Sequence, residues 1–212
     1  MDPERERHRP PPAVGEYYSG RLAEHGATAR GVDWNGQPGQ VLRFDQLLRI
    51  VDTDTRFSLC DLGCGYGALL DHMRPRYAGF DYRGWDVSDA MISAARTLHP
   101  GEPEAFSVGA RPDVRSDYCV ASGIFNVRLE TSREQWQSYV EAVLDVMHEA
   151  SARGFAFNCL TAYADEHRKR PDLYYADPLY YFDLCRRRHS RQVALLHDYG
   201  LYEFTLLVRK TT

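Results

Sequence analysis

No apolar run in this 212-residue chain approaches the roughly 18 residues that a membrane-spanning helix needs, and the N-terminus lacks the apolar core of a signal peptide. A membrane is therefore not an expected partner, and a cytoplasmic location is expected. Positive charge is also short: 26 Lys plus Arg stand against 30 Asp plus Glu, a formal charge of −4. Without a basic field to hold a phosphate backbone, nucleic acid is a disfavoured partner. Cysteine is too scarce for a disulfide framework, and five is an odd number. Cys60, Cys119 and Cys159 fall in apolar stretches and read as buried thiols. Cys60 and Cys64 are four apart, but no second cysteine or histidine pair follows at zinc-ligand spacing, so no metal is expected. No internal repeat of solenoid length occurs. What is present is ordinary for a globular chain: 43% hydrophobic and 26% charged residues, in a length that suits one large domain.

Residues 1–12 are charged and proline-rich and read as a disordered tail, leaving 13–212 as a single domain. Within it, residues 13–51 form an N-terminal segment. Its stretch Gly26 to Gly39 reads as loop, and Val41, Phe44, Leu47, Leu48 and Val51 place an amphipathic helix from near Gln40. The chain then alternates. Strand-like runs at Phe57–Leu62, Arg83–Val87, Ala105–Val108, Tyr118–Ser122 and Gly154–Leu160 are mostly separated by helical patterns at Leu69–Met73, Asp89–Leu98 and Arg133–Ala150. That alternation predicts an α/β fold with a parallel sheet covered on both faces. Residues 161–190 form an aromatic insertion. Gln192–Leu196 and Tyr202–Val208 flank a turn ending in Gly200 and predict a closing antiparallel hairpin.

The strongest chemical signal is Asp61-Leu62-Gly63-Cys64-Gly65-Tyr66-Gly67, between a strand and a helix. Alternate glycines permit positive φ and let the main chain approach a ligand closely. Open α/β sheets bind ligands at this carboxyl edge. The loop lacks the Lys-Ser/Thr ending of a P-loop, which disfavours nucleotide triphosphate hydrolysis. Asp86 ends the next strand, 19 residues beyond Gly67, where a carboxylate can accept hydrogen bonds from both ribose hydroxyls of an adenosine. Asp81 repeats the local Y-x-G-x-D pattern five residues earlier. Asp86 is preferred because Val87-Ser88-Asp89 opens a helix with capping residues, and Asp81 is expected in the turn before the strand.

Asp61–Gly67 resembles motif I of the class I S-adenosylmethionine-dependent methyltransferases, and Gly84–Ser88 with Met91 resembles their second-strand signature. Asp117–Asn126 is similar to their fourth strand and the loop that follows it. The resemblance covers roughly residues 40–210. It implies a Rossmann-like, seven-stranded, mostly parallel sheet with an antiparallel C-terminal hairpin strand, and S-adenosylmethionine as cofactor, with S-adenosylhomocysteine (SAH) as product. It implies further that Asp61 and the loop Gly63, Cys64, Gly65 and Gly67 face the methionine part. Asp86 would hold ribose, Val87 would pack on adenine, and the Ser122 carbonyl would meet the ammonium. The family's acidic residue after the third strand is missing from Ser107–Ala110, leaving Asp113 as a substitute.

For the substrate side, Asn126 stands where some amino-directed methyltransferases hold the nucleophile. No Pro-Pro-aromatic sequence follows it, and the alternative is a loop-capping side chain. His197 and His25 are candidate general bases, titrating near neutrality, with a solvated turn histidine as the alternative. Arg43 and Gln40 either reach the cofactor or a substrate carboxylate, or lie on an exposed helix face. Tyr17, Tyr18, Asp33 and Trp34 lie in a segment that often closes over the site in this family. Tyr163, Tyr174, Tyr175, Tyr180, Tyr181 and Phe182 form a pocket wall, or pack on the sheet, or meet a second copy in a homodimer. Arg186–Arg188 reads as a solvated helix end. The reading is a methyltransferase acting on an oxygen, or else a nitrogen, of a small polar metabolite. Its rivals are a methyltransferase of RNA or protein, and a non-catalytic cofactor-binding or scaffold protein of the same fold. A nicotinamide-dependent oxidoreductase is disfavoured by the G-x-G-x-G spacing and the closing hairpin.

Overall fold

The computed structural model describes residues 7–52 and 55–210. Seven strands form one sheet: β1 Phe57–Leu62, β2 Phe80–Asp86, β3 Phe106–Val108, β4 Ser116–Ala121, β5 Ser151–Leu160, β6 Gln192–Leu196 and β7 Glu203–Arg209. Their spatial order is β3-β2-β1-β4-β5-β7-β6. The first five pair in parallel, and β7 lies antiparallel between β5 and β6. The chain reverses its direction of winding between β1 and β4, so a crevice opens beyond their carboxyl ends, where such sheets bind ligands.

Strand periodicity sorts the core onto two faces. Phe155, Phe157 and Cys159 of β5 pack on one side with Trp136, Val140, Val143, Leu144 and Met147 of α5 (Arg133–Ala150). Tyr181 and Cys185 of α6 (Pro178–Arg188) join that layer. On the other side Leu59 and Val120 meet three helices: α2 (Gln37–Leu48) through Phe44 and Leu47, α3 (Ala68–Met73) through Leu69 and Leu70, and α4 (Asp89–Leu98) through Ile92. The helix starts follow local chemistry. Ser88 Oγ accepts from Met91 N at α4, and Ser132 Oγ accepts from Gln135 N at α5, satisfying donors a helix N-terminus leaves free. The Tyr202–Val208 expectation is displaced by one residue, and β2 starts three residues before the predicted Arg83. Asp81 therefore lies within β2 rather than in the turn before it.

The N-terminal segment differs most from expectation. Residues 1–6 of the predicted tail lie outside the described residues, but Pro10 is buried, and α1 runs from Pro12 to His25. Its sequence gives little warning, because among its residues only Val14 is fully buried. The helix crosses the carboxyl edge of the sheet rather than filling a core, so it needs no broad apolar stripe. A single 3-10 turn, Ala29–Val32, then occupies part of the predicted loop, with Thr28 Oγ1 accepting from Gly31 N at its start.

Candidate active site

The β1–β2 register pairs Asp61 with Gly84 and Leu62 with Trp85, which sets the glycine loop beside the end of β2. Gly63 N and Cys64 N both donate to the Trp85 carbonyl, at 2.7 and 3.0 Å. Gly63 has φ +78°, and a Cβ there would stand 2.0 Å from Ile124 Cγ2. Only glycine combines that dihedral with that approach. Asp86 closes the arrangement: its carboxylate accepts from Gly65 N and Ser88 N, both at 2.9 Å. Burial raises its pKa, and these backbone donors oppose the rise.

Above this platform lies a cavity at the carboxyl edge of the sheet, lined mainly by apolar side chains with a few polar groups. Gly63, Gly65, Asp86, Val87 and Ser122 line it, and Val14, Tyr18 and Trp34 cover it from the N-terminal segment. Ser19 Oγ lies 2.8 Å from Ser88 Oγ, tying α1 to the start of α4. A second cavity adjoins the first and is lined by Asn126, Arg43, Arg168, Arg170, Tyr175 and Glu203. Tyr18, Val32 and Trp34 line both, so they stand between the two. The N-terminal segment thus packs over the carboxyl edge of the sheet, not on its back.

Several predicted residues lie elsewhere, each for a packing reason. Asp61 lines neither cavity. It is 2% exposed, accepts from Tyr82 Oη at 2.7 Å, and burial pushes its carboxyl up to about 7. Cys64 turns into the core beside Gly84, whose missing Cβ leaves room for its sulfur. Gly67 is excluded from the cavity by His99 and Phe106, which a Cβ there would strike at 2.7 and 3.0 Å. Arg43 does not line the first cavity; Nε and Nη2 donate to Glu203 at 2.7 and 2.5 Å. Tyr17 is drawn away by its hydrogen bond to Asp33 at 2.9 Å. Tyr174 is a core residue whose hydroxyl meets that of Tyr181 at 2.9 Å. His25 belongs to a separate depression with Gln37, Gln40 and Tyr66. His197 is exposed, packs against Tyr163 and Phe204, and lines neither cavity. Asn126 does face the second cavity, yet its Oδ1 also accepts from Leu160 N at 3.1 Å, so it serves as a loop cap as well. Asp81 is exposed and paired with Arg56.

Residues not singled out from sequence complete the first cavity. His8 and Pro10 line it from the predicted tail, and Tyr139 and Val143 from α5. After β3 the lining is Gly109 and Ala110; Asp113 lies in another depression. No local motif marks His8 or Tyr139, since each reaches the site through the packing of a distant element.

No protein-family model matches the chain. It is 56% identical over 166 residues to the Mycobacterium tuberculosis (strain ATCC 25618 / H37Rv) protein named "Putative methyltransferase Rv1506c", across 78% of this chain and all of that one. It is also 36% identical over 98 residues to a dTDP-4-amino-2,3,4,6-tetradeoxy-D-glucose N,N-dimethyltransferase of Saccharopolyspora spinosa, covering 43% of this chain and 37% of that protein. Among solved structures, magnesium protoporphyrin IX methyltransferase (ChlM) from Synechocystis PCC 6803 with bound SAH shares the fold. Its TM-score is 0.67 at 13% identity, covering 94% of this chain and 99% of that one. The chain belongs to the class I S-adenosylmethionine-dependent methyltransferases.

Proposed function

We propose that the first cavity takes S-adenosylmethionine and that the second takes a small polar acceptor, methylated on oxygen or else on nitrogen. The observation that carries this reading is the meeting of two differently built cavities at Tyr18, Val32 and Trp34. The first suits the cofactor. Gly63 exposes main chain where a side chain would collide with Ile124, Asp86 presents a carboxylate for ribose hydroxyls, and Val87, Met91 and Ala110 give an apolar surface for a purine. Ser122 supplies polar atoms at the end of β4. Bound there, S-adenosylmethionine supplies an electrophilic methyl for in-line displacement.

The chain's task is then alignment and exclusion of water. Val14, Tyr18 and Trp34 cover the donor cavity, and Asn126 and Tyr175 line the acceptor side. Neither proposed histidine base reaches the acceptor cavity. Of its two carboxylates, Glu203 is held by Arg43, and Asp33 accepts from Tyr17 Oη at 2.9 Å and pairs with Arg21 at 3.3 Å and Arg170 at 3.7 Å. The mixture of guanidinium, carboxylate, amide and aromatic groups favours a polar acceptor. The S. spinosa relative, by its name, acts on a nucleotide-linked amino sugar, a molecule of that general kind.

Titration of the purified protein with SAH tests the donor site. Asp86→Ala removes an acceptor of charge-assisted hydrogen bonds and is expected to weaken binding at least about tenfold, since each such bond is worth roughly 1.5–3 kcal/mol. Asp81→Ala is expected to bind like the wild type. Equal losses, or a loss only at Asp81, would show that the donor site is misassigned. Incubation with S-adenosylmethionine and a metabolite library, read by mass spectrometry, identifies the acceptor.

A further inference from the structure

The chain has three tryptophans, of which Trp85 and Trp136 are 4% and 0% exposed. Trp34 is half-buried and lines both cavities. Its ring lies against Gly123, where a Cβ would stand 2.3 Å from Trp34 Cζ2. The Arg43 guanidinium carbon lies 3.9 Å from the indole centroid. That guanidinium is fixed in turn by its two bonds to Glu203, which is 1% exposed. Gly39, one turn before Arg43 in α2, belongs to the same arrangement: a Cβ there would stand 2.9 Å from Arg43 Nη1. Glycine is disfavoured inside a helix, and here it leaves the space into which the guanidinium folds.

A buried carboxylate–arginine pair beside a cavity ordinarily suggests ligand binding. Here two of the Arg43 N–H groups are taken by Glu203, and the guanidinium lies over the indole. A planar, bidentate guanidinium is suited to holding an aromatic ring in one orientation. We propose that Trp34 is the partition deciding which acceptors reach the donor cavity, and that Arg43 and Glu203 are its positioning residues rather than ligands of either molecule. This rests on the reading of the two cavities as donor and acceptor sites.

Because Trp85 and Trp136 are buried, acrylamide quenching of tryptophan emission reports mainly on Trp34, and Trp34→Phe supplies the baseline. Arg43→Lys keeps a charge beside Glu203 but loses the bidentate, stacked geometry. Arg43→Met combined with Glu203→Gln removes the pair without stranding a buried charge. Both variants, folded by circular dichroism, are expected to raise the quenching constant of the Trp34 component about threefold or more. Saturating SAH is expected to shield Trp34 in the wild type and to shield it less in the variants. The acceptor screen run on Arg43→Lys is expected to return molecules that the wild type leaves unmethylated.

Wild-type quenching in the folded variants, or an unchanged acceptor set, would overturn the proposal. Failure of both variants to fold would also overturn it, by assigning the pair to stability alone. If SAH does not bind the wild type, the donor-site reading falls. Quenching of the unliganded proteins then still decides whether Arg43 and Glu203 hold the indole.

Discussion

Asp61 offers a direct measurement of the electrostatics beneath the glycine loop. Its carboxyl is 2% exposed and is pushed up to about 7. Desolvation is the largest cause; the Tyr82 hydrogen bond opposes it, and the charge of Asp86 adds to it. In the unfolded chain the same group titrates near the ordinary Asp value of about 3.9. Between those values the native state binds more protons than the unfolded state, so stability falls as pH rises, and the fall ends above about 7. From pH 5 to pH 8 the cost is about two pKa units, or roughly 3 kcal/mol at 1.36 kcal/mol per unit. Asp61→Asn keeps the shape and the Tyr82 acceptor but cannot ionise. Its stability relative to wild type should therefore improve by about 3 kcal/mol over that interval, or about 6–12 °C in Tm for a domain of this size. Urea unfolding of both proteins across the interval isolates this group from others that titrate there. Tyr82→Phe removes the bond that favours the charged form and should move the midpoint upward. Parallel curves for wild type and Asp61→Asn would refute the argument, because Asp61 would then ionise as an ordinary carboxylate.

Gly63→Ala combines a positive φ with a Cβ placed 2.0 Å from Ile124 Cγ2, and should cost about 2–4 kcal/mol from backbone strain and overpacking. Gly200→Ala has a similar φ of +72° but open space around it, so urea midpoints should show a clearly smaller loss there. His189 packs against His148 with ring centroids 5.1 Å apart in a tilted arrangement, and its buried Nε2 makes no hydrogen bond, the nearest carboxylate, Asp145, standing 3.7 Å away. Burial and the neighbouring His148, Arg188 and Lys210 lower its pKa to about 4. The unfolded state then binds the extra proton first, so stability is full above the ordinary value near 6.5 and falls as pH drops toward 4. Wild type should lose about 2 kcal/mol from this group between pH 7 and pH 5. His189→Phe should lose correspondingly less over the same interval, and an equal loss in both proteins would remove His189 as the cause.

The architecture was legible from the chain because its determinants are local. β1, α4 and α5 occupy the predicted residues, since a short strand buried on both faces, helical burial and the capping serines are all set within a few residues of each other. The glycine loop and Asp86 were legible for a related reason: a strand-to-helix turn constrains its own φ angles, and the next parallel strand must return beside it. Side-chain direction at the site was decided by packing. Asp61 and Cys64 sit in the same motif as Gly63 and Gly65, yet they point into the core, toward Tyr82 and Gly84 respectively. Nothing in the local sequence announces α1 as a cover, because a helix lying over a cavity buries too little to need an apolar stripe. His8 and Tyr139 reach the first cavity from positions about 130 residues apart. Arg43 meets Glu203 across 160 residues. Such pairings depend on how α1, α2 and β7 come together at one sheet edge, so the sequence by itself determined the platform, while tertiary packing decided which side chains surround it.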